Sequence, residues 1–291
     1  PEVVFDLPRR VGPGIDLPIV LIINDIDKFP CEVVEVELLV TGPGRTPFPI
    51  KVKPDENQIE HPLRFQSRVM LFRISRENLG NGPIFVNAKA LLRRGKQTLT
   101  VLNDNYFGTS KCQFECHLAD SLLPGEQMCS YTDLHTHSQF SQSHVEFGPP
   151  IAVMVEMAAA YGMDFIGISD HSYDVACSID DYLVHGDGKQ RWTAYREEIA
   201  RPSPAKIIGG EEVSCFNGHK KTVHLCVFGI NSFIPGSHDG ARRGARRERQ
   251  LSVPEVMDHV HSQGGVGFAA HPGNLFGRLQ QLLLGRGKWE E

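Results

Sequence analysis

Thr132-Asp133-Leu134-His135-Thr136-His137-Ser138 closes the first of five short apolar runs in the second half of the chain. Side chains alternate along an extended segment, so His135 and His137 point the same way and both imidazoles can reach one ion. The pattern recurs downstream. Asp164 to Ser169 leads into Asp170-His171, Lys206 to Ser214 carries Glu211-Glu212, Thr222 to Ile230 carries His224, and Val266 to Ala270 leads into His271-Pro272. Alone, a His-x-His pair is often two surface or core histidines, and adjacent glutamates usually sit in water. Five such pieces in order, each beside its own apolar run, are what a metal site built from successive strands requires.

Helical stretches separate the runs: Ile151 to Tyr161, Gln190 to Ala200 and Val253 to Gln263. The last opens on Ser252-Val253-Pro254-Glu255, a capping box with proline in the first turn, and stops at Gly264-Gly265. Val253, Val256, Met257 and Val260 share one of its faces. Strands alternating with helices predict a parallel sheet or barrel with functional groups at the C-terminal strand ends. Residues 1 to about 120 read differently. Leu17 to Ile23 and Glu32 to Val40 are strand-like, the second being closed by Thr41-Gly42-Pro43-Gly44. Ile84 to Leu92 and Gln97 to Leu102 flank a hairpin loop at Arg93-Arg94-Gly95-Lys96. The expected organisation is a β-sandwich-like domain over 1–124 and an α/β domain over 125–291, parted near Leu123-Pro124-Gly125.

Composition narrows the classes. The 291 residues are 41% hydrophobic and 22% charged, the profile of a globular protein with real cores. A net charge of -5 argues against stable nucleic-acid binding through a basic surface. No apolar run approaches the roughly 20 residues a membrane span needs. The opening residues, starting at Pro1, do not resemble a signal peptide, so the expected address is cytoplasmic and the form trimmed or processed. Seven scattered cysteines suggest reduced thiols, and Cys112 and Cys116 lack the second pair a zinc site would need. Of 13 histidines, only His61 and His117 precede residue 129, which marks the second half as the chemical one.

The ordered set DLHTHS (133–138), GISDHS (167–172), GGEEVS (209–214), VHLCVFGI (223–230) and GFAAHP (267–272) resembles the polymerase and histidinol phosphatase superfamily of metallohydrolases. A β-rich first half before it looks, more loosely, like the carbaryl-hydrolase-like branch. The resemblance implies a distorted (β/α)7 barrel holding two or three divalent ions, Zn, Mn or Fe. By it, His135 and His137 bind the first ion, Glu212 bridges to a second held also by His224 and His271, and His171 binds a third. Glu212 is preferred to Glu211 because the family acid lies two residues before the serine, and alternation turns the two side chains to opposite faces. Asp133 and Asp170 are expected to orient neighbouring imidazoles. His144 stands near the position of a further third-ion ligand, with Gln142 where an aspartate is often found; otherwise it is a loop histidine. The family also supplies an Asp-x-His pair that is absent before Glu291, so the barrel is expected to be incomplete at its C-terminal end.

The expected activity is a metal-dependent phosphoesterase, with Glu212 and His171 carrying the catalysis and a small phosphorylated molecule, or else a nucleotide or oligonucleotide, as substrate. The alternatives are amide, ester or carbamate cleavage by the same centre, or a scaffold without catalysis. Arg242, Arg243, Arg246, Arg247 and Arg249 read as a solvated loop or as a lid over phosphate oxygens. His185, His219, His259 and His261 read as surface or helix-face residues.

Overall fold

The computed structural model describes residues 1–42, 46–63, 66–104, 112–126, 128–141, 148–180, 184, 189–235, 251–273 and 287–289. His144 and Gln142, the arginine-rich stretch 241–249, His185, and the turn residues Pro43 and Gly44 lie outside them. The chain divides into two compact units. One comprises Pro1–Tyr131 with Ala152–Asp164, the other Thr132–Ile151 with Phe165–Glu291.

The first unit holds β1 (Glu2–Asp6), β2 (Arg10–Val11), β3 (Leu17–Asn24), β4 (Glu32–Thr41), β5 (Phe48–Val52), β6 (Gln58–Ile59), β7 (Ser67–Ile74), α1 (Arg76–Leu79), β8 (Gly82–Arg94), β9 (Gln97–Leu102) and β10 (Phe114–Leu118). They form one sheet in the order β1-β3-β7-β6 and a second in the order β2-β10-β8-β4-β5, with β9 paired to β8. The expected hairpin is β8–β9, turning at Gly95 with φ 58°. Ile19, Leu21 and Phe72 of the first sheet share a core with Val36, Leu38, Val86 and Ala88 of the second. Unlike β4, β3 is apolar from Leu17 to Ile23. Its alternate residues Val20 and Ile22, with Val69 and Leu71 of β7, pack against Val153 and Met157 of a helix, so both of its faces are covered.

That helix is α2 (Ile151–Tyr161), which comes after β11 (Thr132–Thr136) in the chain. The second unit continues with β12 (Phe165–His171), α3 (Ser172–Val175), α4 (Lys189–Ile199), β13 (Lys206–Phe216), β14 (Thr222–Phe228), α5 (Val253–Ser262) and β15 (Val266–Ala269). The helix and strand limits fall within two residues of the sequence reading, and the capping box at Ser252 and Glu255 is formed in both directions.

The architecture differs from the expectation. These strands make one five-stranded sheet in the order β11-β12-β13-β14-β15, not a (β/α)7 barrel. β11, β12 and β13 are parallel, but β14 runs antiparallel to both neighbours. The reason is local. Only Asn217 to Lys221 join β13 to β14, whereas a parallel crossover needs a dozen or more residues. Asn217 Oδ1 accepts from the backbone of His219 and Lys221, and Lys220 takes a positive φ of 56° to close the turn. Among the described residues no helix is long and apolar enough to cross a membrane.

Candidate metal centre

The site gathers where the strand ends of the second unit meet. β12 pairs with β13 so that His171 sits beside Glu212, and β13 pairs with β14 so that Ser214 faces His224. Cross-strand partners share a face, and so do residues two apart, which sets Glu212, His171 and His224 on one side of the sheet. Because β14 is reversed, His224 lies near its start, and that start adjoins the C-terminal ends of β12 and β13. His135 lies near the end of β11, His137 comes just after that strand, and His271 comes after β15. Convergence therefore needs adjacent strand ends and no closed barrel.

Six of the expected ligands come together, His144 lying outside the described residues. On one side of the Glu212 carboxylate, Oε2 lies 3.3 Å from His135 Nε2, 3.3 Å from His137 Nε2 and 2.9 Å from His171 Nδ1. On the other, Oε1 lies 2.6 Å from His224 Nδ1 and 3.0 Å from His271 Nε2. The rings stack around it, His137 on His171 at 4.4 Å between centroids and His135 on His271 at 5.7 Å. Burial grades across the cluster. The side chains of His171 and His224 are 4% and 2% exposed, those of His135 and His271 27% and 29%.

These residues fit a metal. His135, His137 and Glu212 offer one set of ligand atoms within 4.8 Å of one another, and His171, Glu212 and His224 a second. Buried Oε2 accepts no hydrogen bond among the described residues: the imidazole nitrogens are at hydrogen-bond distance from it but not at hydrogen-bond angles. Spacings of 3.3 Å are those of neighbouring donors around an ion with bonds of about 2.0–2.1 Å. Burial by itself raises the Glu212 pKa. The charge of His224 and the close approach of His135, His171 and His224 outweigh it, holding the carboxyl well below the usual range and so ionised. The buried histidine and glutamate groups can thus hold a metal ion, and His171 lies against the same carboxylate as the other four histidines.

Asp133 Oδ1 accepts from the backbone N–H of His135. Fully buried Asp170 accepts from the Ser138 N–H at 2.7 Å, the Ser138 hydroxyl at 2.5 Å and the Ser141 N–H at 3.1 Å. Burial pushes its pKa up against those donors. Its effect on the ligands passes through the loop it holds: Ser141 Oγ lies 3.2 Å from His137 Nδ1 and accepts from the His171 N–H at 3.1 Å. Glu211, on the opposite face, is wholly buried and accepts from the Ile234 N–H, with its pKa raised well above normal by burial.

Sequence reasoning missed four supporting residues. Ser141 belongs to no periodic run. Tyr173 lies two residues past His171 and stacks on its ring at 4.7 Å. Tyr195 sends its hydroxyl from α4 to β12 and β13, and the Gly209-Gly210 pair before Glu212 was the available signal for such a close approach. Gly148 lies against His137, where a Cβ would collide with the His137 carbonyl oxygen. His219, His259 and His261 are exposed, and none joins the cluster. No protein-family model matches the chain, and the search of curated proteins found no match.

Proposed function

We propose that the chain is a metal-dependent hydrolase of phosphate esters, with two divalent ions of Zn, Mn or Fe sharing Glu212. One observation carries the reading: a single buried carboxylate is approached by five imidazoles, and it is shared by two groups able to hold an ion, His135 with His137 and His171 with His224. The resemblance of the five motifs to the polymerase and histidinol phosphatase superfamily supports the same activity. When bound, such ions acidify a water toward neutral pH and offset charge on phosphoryl oxygens.

The chain's own residues set the geometry. Glu212 supplies the negative charge that neutral imidazoles lack, and its place inside β13 fixes both oxygens relative to the sheet. His171 and His224, buried beneath it, form the floor. His135 and His271 flank the open side, so substrate enters between them. Asp170, through Ser138 and Ser141, holds the His137 backbone in register and keeps the first ligand set preorganised.

The test compares wild type with Glu212→Ala, each loaded with Mn or Zn. The substrates are p-nitrophenyl phosphate, bis-p-nitrophenyl phosphate and a naphthyl carbamate. Wild type is expected to carry metal by elemental analysis and to cleave a phosphate ester. Glu212→Ala should lose on the order of 10⁴-fold in kcat/KM together with its metal. Full activity of the metal-replete variant would refute the role of Glu212. Turnover of the carbamate alone would move the substrate class to carbonyl compounds.

A further inference from the structure

The six ligands do not explain how His271 keeps its place. It lies past the end of β15 at Ala269, so no strand pairing fixes its backbone. It is also the most exposed ligand side chain, and its φ of 31° lies in the left-handed region that side chains rarely adopt. Something must hold the 270–271 peptide in that orientation.

We propose that Trp289 is a positioning residue for His271; this rests on the metal reading above. The Trp289 indole N–H donates to the carbonyl oxygen of Ala270 at 3.1 Å, the oxygen of the peptide that leads into His271. On the other side of the same residue, the Ala270 N–H donates to the His224 carbonyl at 3.0 Å. Ala270 is thus gripped at both polar atoms, and the left-handed turn at His271 results from where its carbonyl is tied. His271 Nε2 then lies 3.0 Å from Glu212 Oε1.

Trp289 is itself anchored to the hairpin that carries Glu212 and His224. The Gly287 N–H donates to the Thr222 carbonyl at 2.8 Å, and Asn217 Nδ2 donates to the Lys288 carbonyl at 3.0 Å. Glycine is required at 287, since a Cβ there would collide with Lys221 Cβ. The indole packs against the cluster of Val213, Cys215, Val223 and Leu225, the face of the hairpin turned away from Glu212. Residues 287–289 therefore form a strap from the β13–β14 hairpin to the backbone of the last ligand. It ties His271 to the same element as the carboxylate it meets.

Trp289→Phe keeps an aromatic ring and removes the N–H. Zinc affinity is measured by competition with a chromophoric chelator for wild type, Trp289→Phe, His271→Ala and the double variant, with a melting curve for each. Trp289→Phe is expected to weaken binding by about 10–100-fold, the range for partners that orient a ligand. The double variant should bind no more weakly than His271→Ala alone. Equal affinity of Trp289→Phe and wild type, or a further equal loss in the double variant, would overturn the positioning role. In the metal-free protein, the His271 ¹³Cα shift reports its left-handed backbone and should move in Trp289→Phe. A wild-type chain that binds no metal would remove the metal reading alone, and the ¹³Cα shift would still decide the strap: an unchanged shift refutes it.

Discussion

Tyr195→Phe isolates one oxygen atom. The phenol is buried, and its hydroxyl lies 2.9 Å from the Ile168 carbonyl of β12 and 2.9 Å from the Gly210 carbonyl of β13, while the Gly210 N–H donates to it at 2.8 Å. Burial, reinforced by the charge of Asp170, drives its pKa well above the normal value, so it stays a neutral donor. One proton serves one carbonyl at a time, so the substitution removes one donated and one accepted bond, each contributing about 0.5–1.5 kcal/mol net. It also strands the Gly210 N–H away from water, which adds about 1–3 kcal/mol, less whatever relaxation recovers. The ring contacts with Phe140 and Trp192 survive in phenylalanine, so no cavity term enters. The expected loss is about 2–4 kcal/mol, and with each kcal/mol moving Tm by about 2–4 °C in a unit of this size, the shift should be roughly 4–16 °C. Urea unfolding read by tryptophan emission is the assay, because both tryptophans, Trp192 and Trp289, lie in the second unit. A change below about 0.5 kcal/mol with an unaltered m-value would mean that the hydroxyl does not hold these strands together.

Gly148→Ala should destabilise the second unit by about 1–3 kcal/mol and weaken metal binding, because the new methyl meets the immovable backbone of His137 and Ser138; a variant with wild-type Tm and zinc affinity would contradict the close approach. Burial pushes the thiols of Cys116, Cys215 and Cys226 up to about 12, so at a pH of about 8 their thiolate fraction is on the order of 10⁻⁴. Iodoacetamide on the native protein should therefore label the exposed Cys112 and Cys129 and leave those three unmodified, as read by peptide mass spectrometry. Rapid native labelling of Cys226 would show that the strand beneath the site is open.

The features legible in the sequence were local. Apolar runs, the capping box at Ser252 and the Arg93–Lys96 turn depend on residues a few positions apart, and those elements formed where expected. Strand alternation also put His135 and His137 on one side and turned Glu211 and Glu212 to opposite faces, while the choice of Glu212 and its grouping with His171, His224 and His271 came from the resemblance. Closure was a different matter. Which strand pairs with which is decided across long separations: strand–helix alternation predicted a parallel sheet or barrel and the resemblance a (β/α)7 barrel, whereas the chain forms an open sheet in which β14 is antiparallel. The contrary signal was present: Asn217-Gly218 between two strands only a few residues apart leaves room for a hairpin and none for a helix. Tyr195, Ser141 and Trp289 were hard to read for the converse reason. They act through contacts to residues distant in the sequence, which leave no periodicity, and only the Gly209-Gly210 pair hinted at the close approach of Tyr195.

Helix α2 has a consequence for biosynthesis. The chain enters the second unit at Thr132, returns to the first at Ala152 and leaves it again after Asp164. Val20, Ile22, Val69 and Leu71 therefore lack the cover of Val153 and Met157 until those residues have been translated, although every strand of their own sheet emerged much earlier. On the ribosome, the first unit must wait for a segment made after β11, with an oily sheet face in need of shelter meanwhile. A gene cut at residue 124 would separate that face from its helix permanently, leaving one fragment with a bare sheet and the other with a bare helix.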